Sequence, residues 1–135
     1  MTKRLLFAFI ISFTALLSAN AQVFKGRYLN EDLKVKFDLN LYNDTIPVPG
    51  LDDETCYGYL QGNINGNWVV LKVISLEADK AVVRASCDNG SDSQNLELKV
   101  IDEKHLQIRQ LQDANIKMIE NNKYVKMPKT WQIHK

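Results

Sequence analysis

Few residues in this sequence have side chains that could carry out chemistry. Cys56 and Cys87 are its two cysteines, and neither has a histidine or a further cysteine at the short spacing of metal sites. His105 and His134 do not stand at motif spacing from a Ser or Cys nucleophile, so we expect both to be solvated surface residues. The sequence therefore predicts no catalytic residue, no metal site and no cofactor, and we do not expect an enzyme.

An acidic segment that contains proline is the most distinctive polar feature. Pro47 and Pro49 interrupt residues 43–55, and because proline cannot donate to a sheet we predict a long loop there. Long loops in compact domains are often functional, and a run of three acids ends this one. Two tyrosines follow this loop, and we expect them on one face of a strand. There they suit either a binding surface or a barrel interior. The candidate contacts for a partner are Asp52, Asp53, Glu54, Tyr57 and Tyr59.

Two other roles are open for this segment. Carboxylate oxygens could bind calcium, but the spacing of the acids matches no EF-hand loop, so a solvated acidic loop is favoured. Asp44-Thr45-Ile46 resembles the Asp-(Ser/Thr)-apolar tripeptide of periplasmic O-glycosylation in some bacteria. Thr45 is therefore a candidate glycosylation residue.

The first 21 residues have the organisation of a secretory signal peptide. Lys3 and Arg4 precede an apolar run, Leu5 to Leu17, which is shorter than the about 20 residues that a membrane-spanning helix needs. Ala19 and Ala21 supply the small residues that signal peptidase reads. We predict cleavage after Ala21, a periplasmic or secreted protein, and no stable membrane anchor after cleavage.

Cleavage would place a single domain in an oxidising compartment. Removal of residues 1–21 leaves residues 22–135, and the net charge changes from +1 to −1, a balance that does not attract nucleic acid. An even number of cysteines in an exported protein favours a disulfide, here between Cys56 and Cys87. A flat meander of strands would hold these cysteines at opposite rims, so the disulfide requires a folded-over loop, or strong barrel curvature with a different strand pairing.

The predicted domain consists of strands and turns. Between Leu33 and Leu41, apolar and polar residues alternate with the period of two that is typical of a half-buried strand. Asn65-Gly66 is a strong hairpin signal, and other turn signals separate further short strands up to residue 127. About eight or nine strands with no amphipathic helix predict an all-β domain. We favour a small antiparallel, meander-like barrel, which has no free edge, over a β-sandwich.

Three segments carry a resemblance to a class of proteins. Phe24-Lys25-Gly26, Tyr57-Gly58-Tyr59-Leu60-Gln61-Gly62 and Leu96-Glu97-Leu98 are arranged as in small exported bacterial β-barrel proteins of uncharacterised function. The resemblance implies a signal peptide followed by a short meander barrel. A looser resemblance is to periplasmic lysozyme inhibitors, which are small disulfide-bonded barrels. Their Ser-Gly-x-x-Tyr signature is absent from this sequence, so no binding residue is carried over.

Export, small size and the lack of catalytic groups predict a non-enzymatic binding or inhibitory module of the bacterial envelope. Its expected partner is an envelope or extracellular protein, as for an inhibitor or immunity protein, and its oligomeric state is left open. The alternative is a lipocalin-like carrier of a small apolar ligand. A cavity inside the barrel would favour the carrier, whereas a filled core with an exposed acidic or aromatic patch would favour protein binding.

Overall fold

Alternation of apolar and polar residues produces twelve β-strands in the part of the chain that this computed structural model describes, residues 22–90 and 92–135. The predicted signal peptide, residues 1–21, lies outside the described residues. The strands are β1 (Lys25–Asn30), β2 (Val35–Asn40), β3 (Ile46–Val48), β4 (Leu51–Cys56), β5 (Gly58–Gly62), β6 (Trp68–Leu76), β7 (Lys80–Cys87), β8 (Ser93–Asp102), β9 (His105–Gln110), β10 (Lys117–Glu120), β11 (Lys123–Lys126) and β12 (Thr130–His134). The described residues form no helix that is long and apolar enough to cross a membrane.

Eight of the strands close into an antiparallel barrel, so the predicted fold class is confirmed. Their order around the barrel is β1-β12-β9-β8-β7-β6-β5-β2, which follows the chain except where two hairpins are inserted. The last strand, β12, pairs with both β9 and β1 and so joins the two ends of the sheet. The topology is that of a meander, as the spacing of the turn signals predicts.

The interior of the barrel is filled with side chains. In β2, Val35, Phe37 and Leu39 point inward and are at most 4% exposed. Each such side chain stabilises the fold by about 1.5–3 kcal/mol when it is fully buried. The largest of its completely buried side chains are Phe24, Tyr28, Phe37 and Trp68.

Two hairpins lie outside the barrel sheet. The hairpin β3–β4 replaces the predicted long loop at 43–55, because Ile46 pairs with Cys56 and Pro47 with Thr55. The sheet has only these two strands, and proline is tolerated in an edge strand. The hairpin β10–β11 is inserted between β9 and β12. It carries exposed lysines at both ends of its strand pairing, and at one end Lys117 lies opposite Lys126.

The predicted turn at Asn65-Gly66 lies in the connection between β5 and β6. Gly66 has a φ of +85°, in the region that favours glycine. A Cβ atom at this position would lie 2.9 Å from Cys87 Sγ, so the tight turn and the neighbouring strand end both require glycine.

The structure does not show the predicted disulfide between Cys56 and Cys87, which are both free, buried thiols. Leu60, Trp68 and Cys87 lie side by side across β5, β6 and β7, and Cys56 precedes Leu60 by four residues. Strand β6 therefore separates β7, which ends at Cys87, from β5, which follows Cys56, and two strand spacings span about 10 Å. A disulfide requires Cα atoms within about 7 Å. The cysteines also belong to different clusters, Cys87 to the barrel core and Cys56 to a cluster outside it.

Candidate functional site

The β3–β4 hairpin covers part of the outer wall of the barrel. Its residues Val48 and Cys56 pack on Val69 of β6, and these three side chains are at most 8% exposed. Ile46 and Tyr59 pack against the same group, which we call the hairpin cluster. Apolar packing therefore holds the hairpin on the barrel and leaves its other face to solvent.

The acids predicted as partner contacts lie on this exposed hairpin. Asp52, Asp53 and Glu54 belong to β4, and all three are exposed. From Phe37 to Leu71 the chain has five acidic residues and no Lys or Arg. The hairpin thus forms an acidic surface on a chain whose overall charge is almost balanced.

The candidate glycosylation residue lies just before the same hairpin. Thr45 is exposed, and its hydroxyl accepts a hydrogen bond from Asn40 Nδ2 at 3.3 Å. Its exposure suits a modification site, which stays a prediction.

The two candidate tyrosines do not share a surface. Tyr57 lies at a bend before β5, donates its backbone N–H to Val70 O at 3.0 Å, and packs against the barrel core. Tyr59 lies within β5 and packs against the hairpin cluster. Because the bend interrupts the strand, the expected alternation does not extend to Tyr57. The structure therefore brings Tyr59, and not Tyr57, beside the hairpin.

Tyr59 ends a row of polar side chains on the outer wall. Arg27 of β1 lies opposite Asp38 of β2, and Asp38 lies opposite Tyr59 of β5. Opposite residues in antiparallel strands point to the same side of the sheet. Arg27 Nε donates to Asp38 Oδ1 at 2.9 Å, and this bond raises the pKa of Arg27. Burial raises the pKa of Tyr59, and the adjacent Asp38 carboxylate raises it further.

The Asp38 carboxylate lies between two side chains of this row. Asp38 is only 9% exposed although it points outward. A side-chain hydrogen bond with Asp38 contributes to the raised pKa of Tyr59, so the carboxylate has Arg27 on one side and Tyr59 on the other. Asn40 Oδ1 is a buried acceptor without a partner among the described residues. A buried acceptor without a partner costs about 1–3 kcal/mol.

These side chains line a groove between β1 and the hairpin, which we call the Asp38 groove. Its volume is about 390 Å³, within the range of small-molecule sites. The side chains that define it are Lys25, Arg27, Asp38, Asn40, Ile46 and Tyr59. It combines acceptors on Asp38 and Asn40, donors on Lys25 and Arg27, and an apolar wall.

The two histidines meet on neighbouring strands, which the sequence did not predict. His105 of β9 lies opposite His134 of β12, with ring centroids 6.1 Å apart. His105 Nδ1 lies 2.7 Å from Asp102 Oδ1, and His134 Nε2 lies 2.7 Å from Glu31 Oε2. The bond to Glu31 raises the pKa of His134, and the same bond lowers the pKa of Glu31. Among the described residues, no group of three or more His, Cys, Asp or Glu side chains has the geometry to hold a metal ion.

Sequence reasoning missed the Asp38 groove as well as the histidine pair. Asp38 occupies a polar position of an alternating strand, and Arg27 and Tyr59 are its neighbours only through the strand register. An acid at an outward strand position is the one signal that the sequence offered. Comparison of the chain with protein-family models, with curated proteins and with solved structures finds no match.

Proposed function

We propose that this protein is an exported, non-enzymatic module of the bacterial envelope that binds another protein through its outer surface. The filled barrel carries this proposal, because Trp68, Tyr28, Phe24 and Phe37 occupy the space that a lipocalin-like carrier keeps for its ligand. We therefore do not advance the carrier alternative. An inhibitor or an immunity protein is the form of this function that small size and export favour.

The acidic hairpin is the contact surface that we propose. Asp52, Asp53 and Glu54 are exposed, and the hairpin below them is ordered by strand pairing and by the hairpin cluster. An ordered surface loses little conformational freedom on binding. A concentration of negative charge speeds association with a positively charged partner. We therefore propose a partner with a basic surface.

Capture from an envelope extract tests this contact. We expect the triple variant Asp52→Ala, Asp53→Ala, Glu54→Ala to capture less partner than the unsubstituted protein does. Its Tm should be almost unchanged, because exposed side chains away from the core change stability by about 0.5 kcal/mol or less. The readout is quantitative mass spectrometry of the captured proteins, with Tm measured in parallel.

A matched triple variant controls for total charge. Glu77, Asp113 and Glu120 are also exposed but lie on other parts of the chain, and their replacement by Ala removes the same charge. We expect this variant to capture the partner normally. Equal capture by all three proteins, or equal loss with both triple variants, would remove the hairpin from the proposal.

Export has its own test. We expect protein purified from the native envelope to begin at Gln22, because Ala19 and Ala21 match the specificity of signal peptidase. Intact-mass analysis measures this directly. A mass that retains residues 1–21 would contradict export by cleavage, and would leave the contact surface to be tested without the envelope.

A further inference from the structure

Two Asn-Gly pairs lie in neighbouring turns at one end of the barrel. Asn65-Gly66 precedes β6, and Asn89-Gly90 follows β7. The turns touch, because a Cβ atom on Gly66 would lie 2.8 Å from Asn89 Nδ2. Glycine after asparagine leaves its amide nitrogen open to attack the asparagine carboxamide, since it has no side chain that shields the nitrogen. Both pairs have this property in sequence, so the fold decides which of them can react.

Hydrogen bonds hold both residues of the first pair. Asn65 Oδ1 accepts from Lys117 N at 3.0 Å and from Trp68 Nε1 at 3.3 Å. The amide of Gly66 donates to Ile64 O at 3.0 Å. Asn65 is half-buried, and the Trp68 side chain that contacts it is completely buried. The carboxamide therefore cannot turn toward the Gly66 nitrogen without the loss of these bonds, and Asn65 is protected.

The second pair is exposed and is held by one weak contact. Asn89 Oδ1 accepts from the thiol of Cys87, with 2.8 Å between Oδ1 and Sγ, and a thiol is a weak donor. The amide of Gly90 makes no hydrogen bond to another described residue. A Cβ atom on Gly90 would have no atom within 4 Å, so the turn is open on this side. The Asn89 carboxamide has only the thiol bond to break before it reaches the Gly90 nitrogen.

We propose that Asn89 is a site of spontaneous deamidation in the folded protein and that the fold protects Asn65. The Gly90 nitrogen attacks Cγ of Asn89, and the carboxamide nitrogen leaves as ammonia with the proton that the Gly90 nitrogen loses. Water then opens the cyclic succinimide at either carbonyl and gives an aspartate or an isoaspartate at position 89. Water is the only co-reactant, and nothing is oxidised. The new negative charge lies beside Asp88 and the Cys87 thiol, and the reaction does not depend on the proposed protein binding.

Peptide mapping of the aged full chain tests the proposal, with the second Asn-Gly pair as an internal control. The folded protein is incubated in mildly alkaline buffer and digested, and mass spectrometry follows the replacement of NH₂ by OH in each peptide. We expect Asn89 to react at least about tenfold faster than Asn65, because reaction at Asn65 must first break its hydrogen bonds. Equal rates at the two residues, or a faster reaction at Asn65, would overturn the proposal.

The same measurement in concentrated urea separates the fold from the local sequence. Unfolding removes the partners of Asn65 and leaves two Asn-Gly pairs in a flexible chain, so we expect the two rates to become similar. A difference that persisted in urea would come from the flanking residues and would contradict the protection of Asn65 by the fold. An Asn89 that reacts in urea but not in the native protein would also overturn the proposal.

Two variants locate the reacting atoms. Gly90 does not have a positive φ and a Cβ atom there meets nothing, so Gly90→Ala should fold normally. We expect it to deamidate at position 89 at least about tenfold more slowly, because the methyl group shields the attacking nitrogen. Asn89→Gln keeps a carboxamide but moves it one methylene further from that nitrogen, and the native protein should then release ammonia much more slowly. An unchanged rate in either variant would contradict attack by the Gly90 nitrogen on Asn89.

Discussion

Among single residues, Glu31 and His134 connect the first and last strands of the barrel. Glu31 follows β1, and His134 lies in β12, where it is opposite Leu29 in the register of the two strands. Asn30 Nδ2 also donates to Gln132 O at 2.7 Å across this seam. The pKa of His134 is raised above 6.5, so its contribution to stability is present below pH 6.5 and is lost as the pH rises through the raised pKa. The pKa of Glu31 is lowered below 4.5, so its contribution is present above pH 4.5 and is lost as the pH falls through the lowered pKa.

The interaction between Glu31 and His134 should therefore stabilise the barrel most strongly within one range of pH. We expect Glu31→Gln to lower the Tm most between pH 4.5 and pH 6.5. The two proteins should converge as the pH falls through the lowered pKa of Glu31 or rises through the raised pKa of His134. Thermal unfolding of both proteins across the pH range measures this. Glu97→Gln is the control, because Glu97 accepts a hydrogen bond from Arg109 Nη2 at 3.1 Å and Arg109 keeps its charge throughout. Its Tm difference should stay constant above pH 6.5. A constant difference for Glu31→Gln as well would contradict the role of His134.

At the scale of elements, buried amides hold the segment that leads to the β10–β11 hairpin. Gln94 in β8 is 3% exposed, its Nε2 donates to Leu111 O at 2.7 Å, and its Oε1 accepts from Asn115 N at 2.8 Å. These bonds replace strand pairing where the chain leaves the barrel. We expect Gln94→Leu to lower the free energy of unfolding by about 1–3 kcal/mol, because two backbone groups lose their partner.

Urea denaturation measures that difference, and a glutamine of β9 gives the control. Gln107 is only half-buried, so Gln107→Leu should change the free energy of unfolding by about 0.5 kcal/mol or less. If the two variants were equally destabilised, the cost would come from the loss of any strand glutamine and not from the bonds of Gln94.

At the scale of the whole molecule, the strand order keeps the two cysteines apart. Cys56 is 1% exposed, burial raises the pKa of its thiol, and Cys87 is 6% exposed. We expect thiol titration of the unfolded, unreduced protein to find both thiols, and the native protein to react slowly, because the thiolate is the reactive form. The same titration after reduction is the control. If thiols appeared only after reduction, Cys56 and Cys87 would be bridged and the strands would have to pair in another order.

Local patterns in the sequence determined the fold class. The alternation from Leu33 to Leu41 places Val35, Phe37 and Leu39 on one face because successive side chains of a strand point to opposite sides. The Asn65-Gly66 turn was equally readable, since a positive φ favours glycine. Such signals depend on neighbouring residues, and they were sufficient to predict an antiparallel meander barrel of about eight or nine strands.

Only the tertiary structure decided which segments meet. The strand β12 was not predicted, because Trp131 and Ile133 give too short an alternation, yet its pairing with β1 joins residues from opposite ends of the domain. Lys36 and Asp38 have the same place in the alternation of β2, but Asp38 is buried and Lys36 is not. Asp38 lies between Arg27 and Tyr59, and the β3–β4 hairpin, predicted as a loop, packs against Tyr59. Whether an outward-pointing side chain is buried depends on contacts between segments that are distant in the sequence. The local alternation of apolar and polar residues carries no information about such contacts.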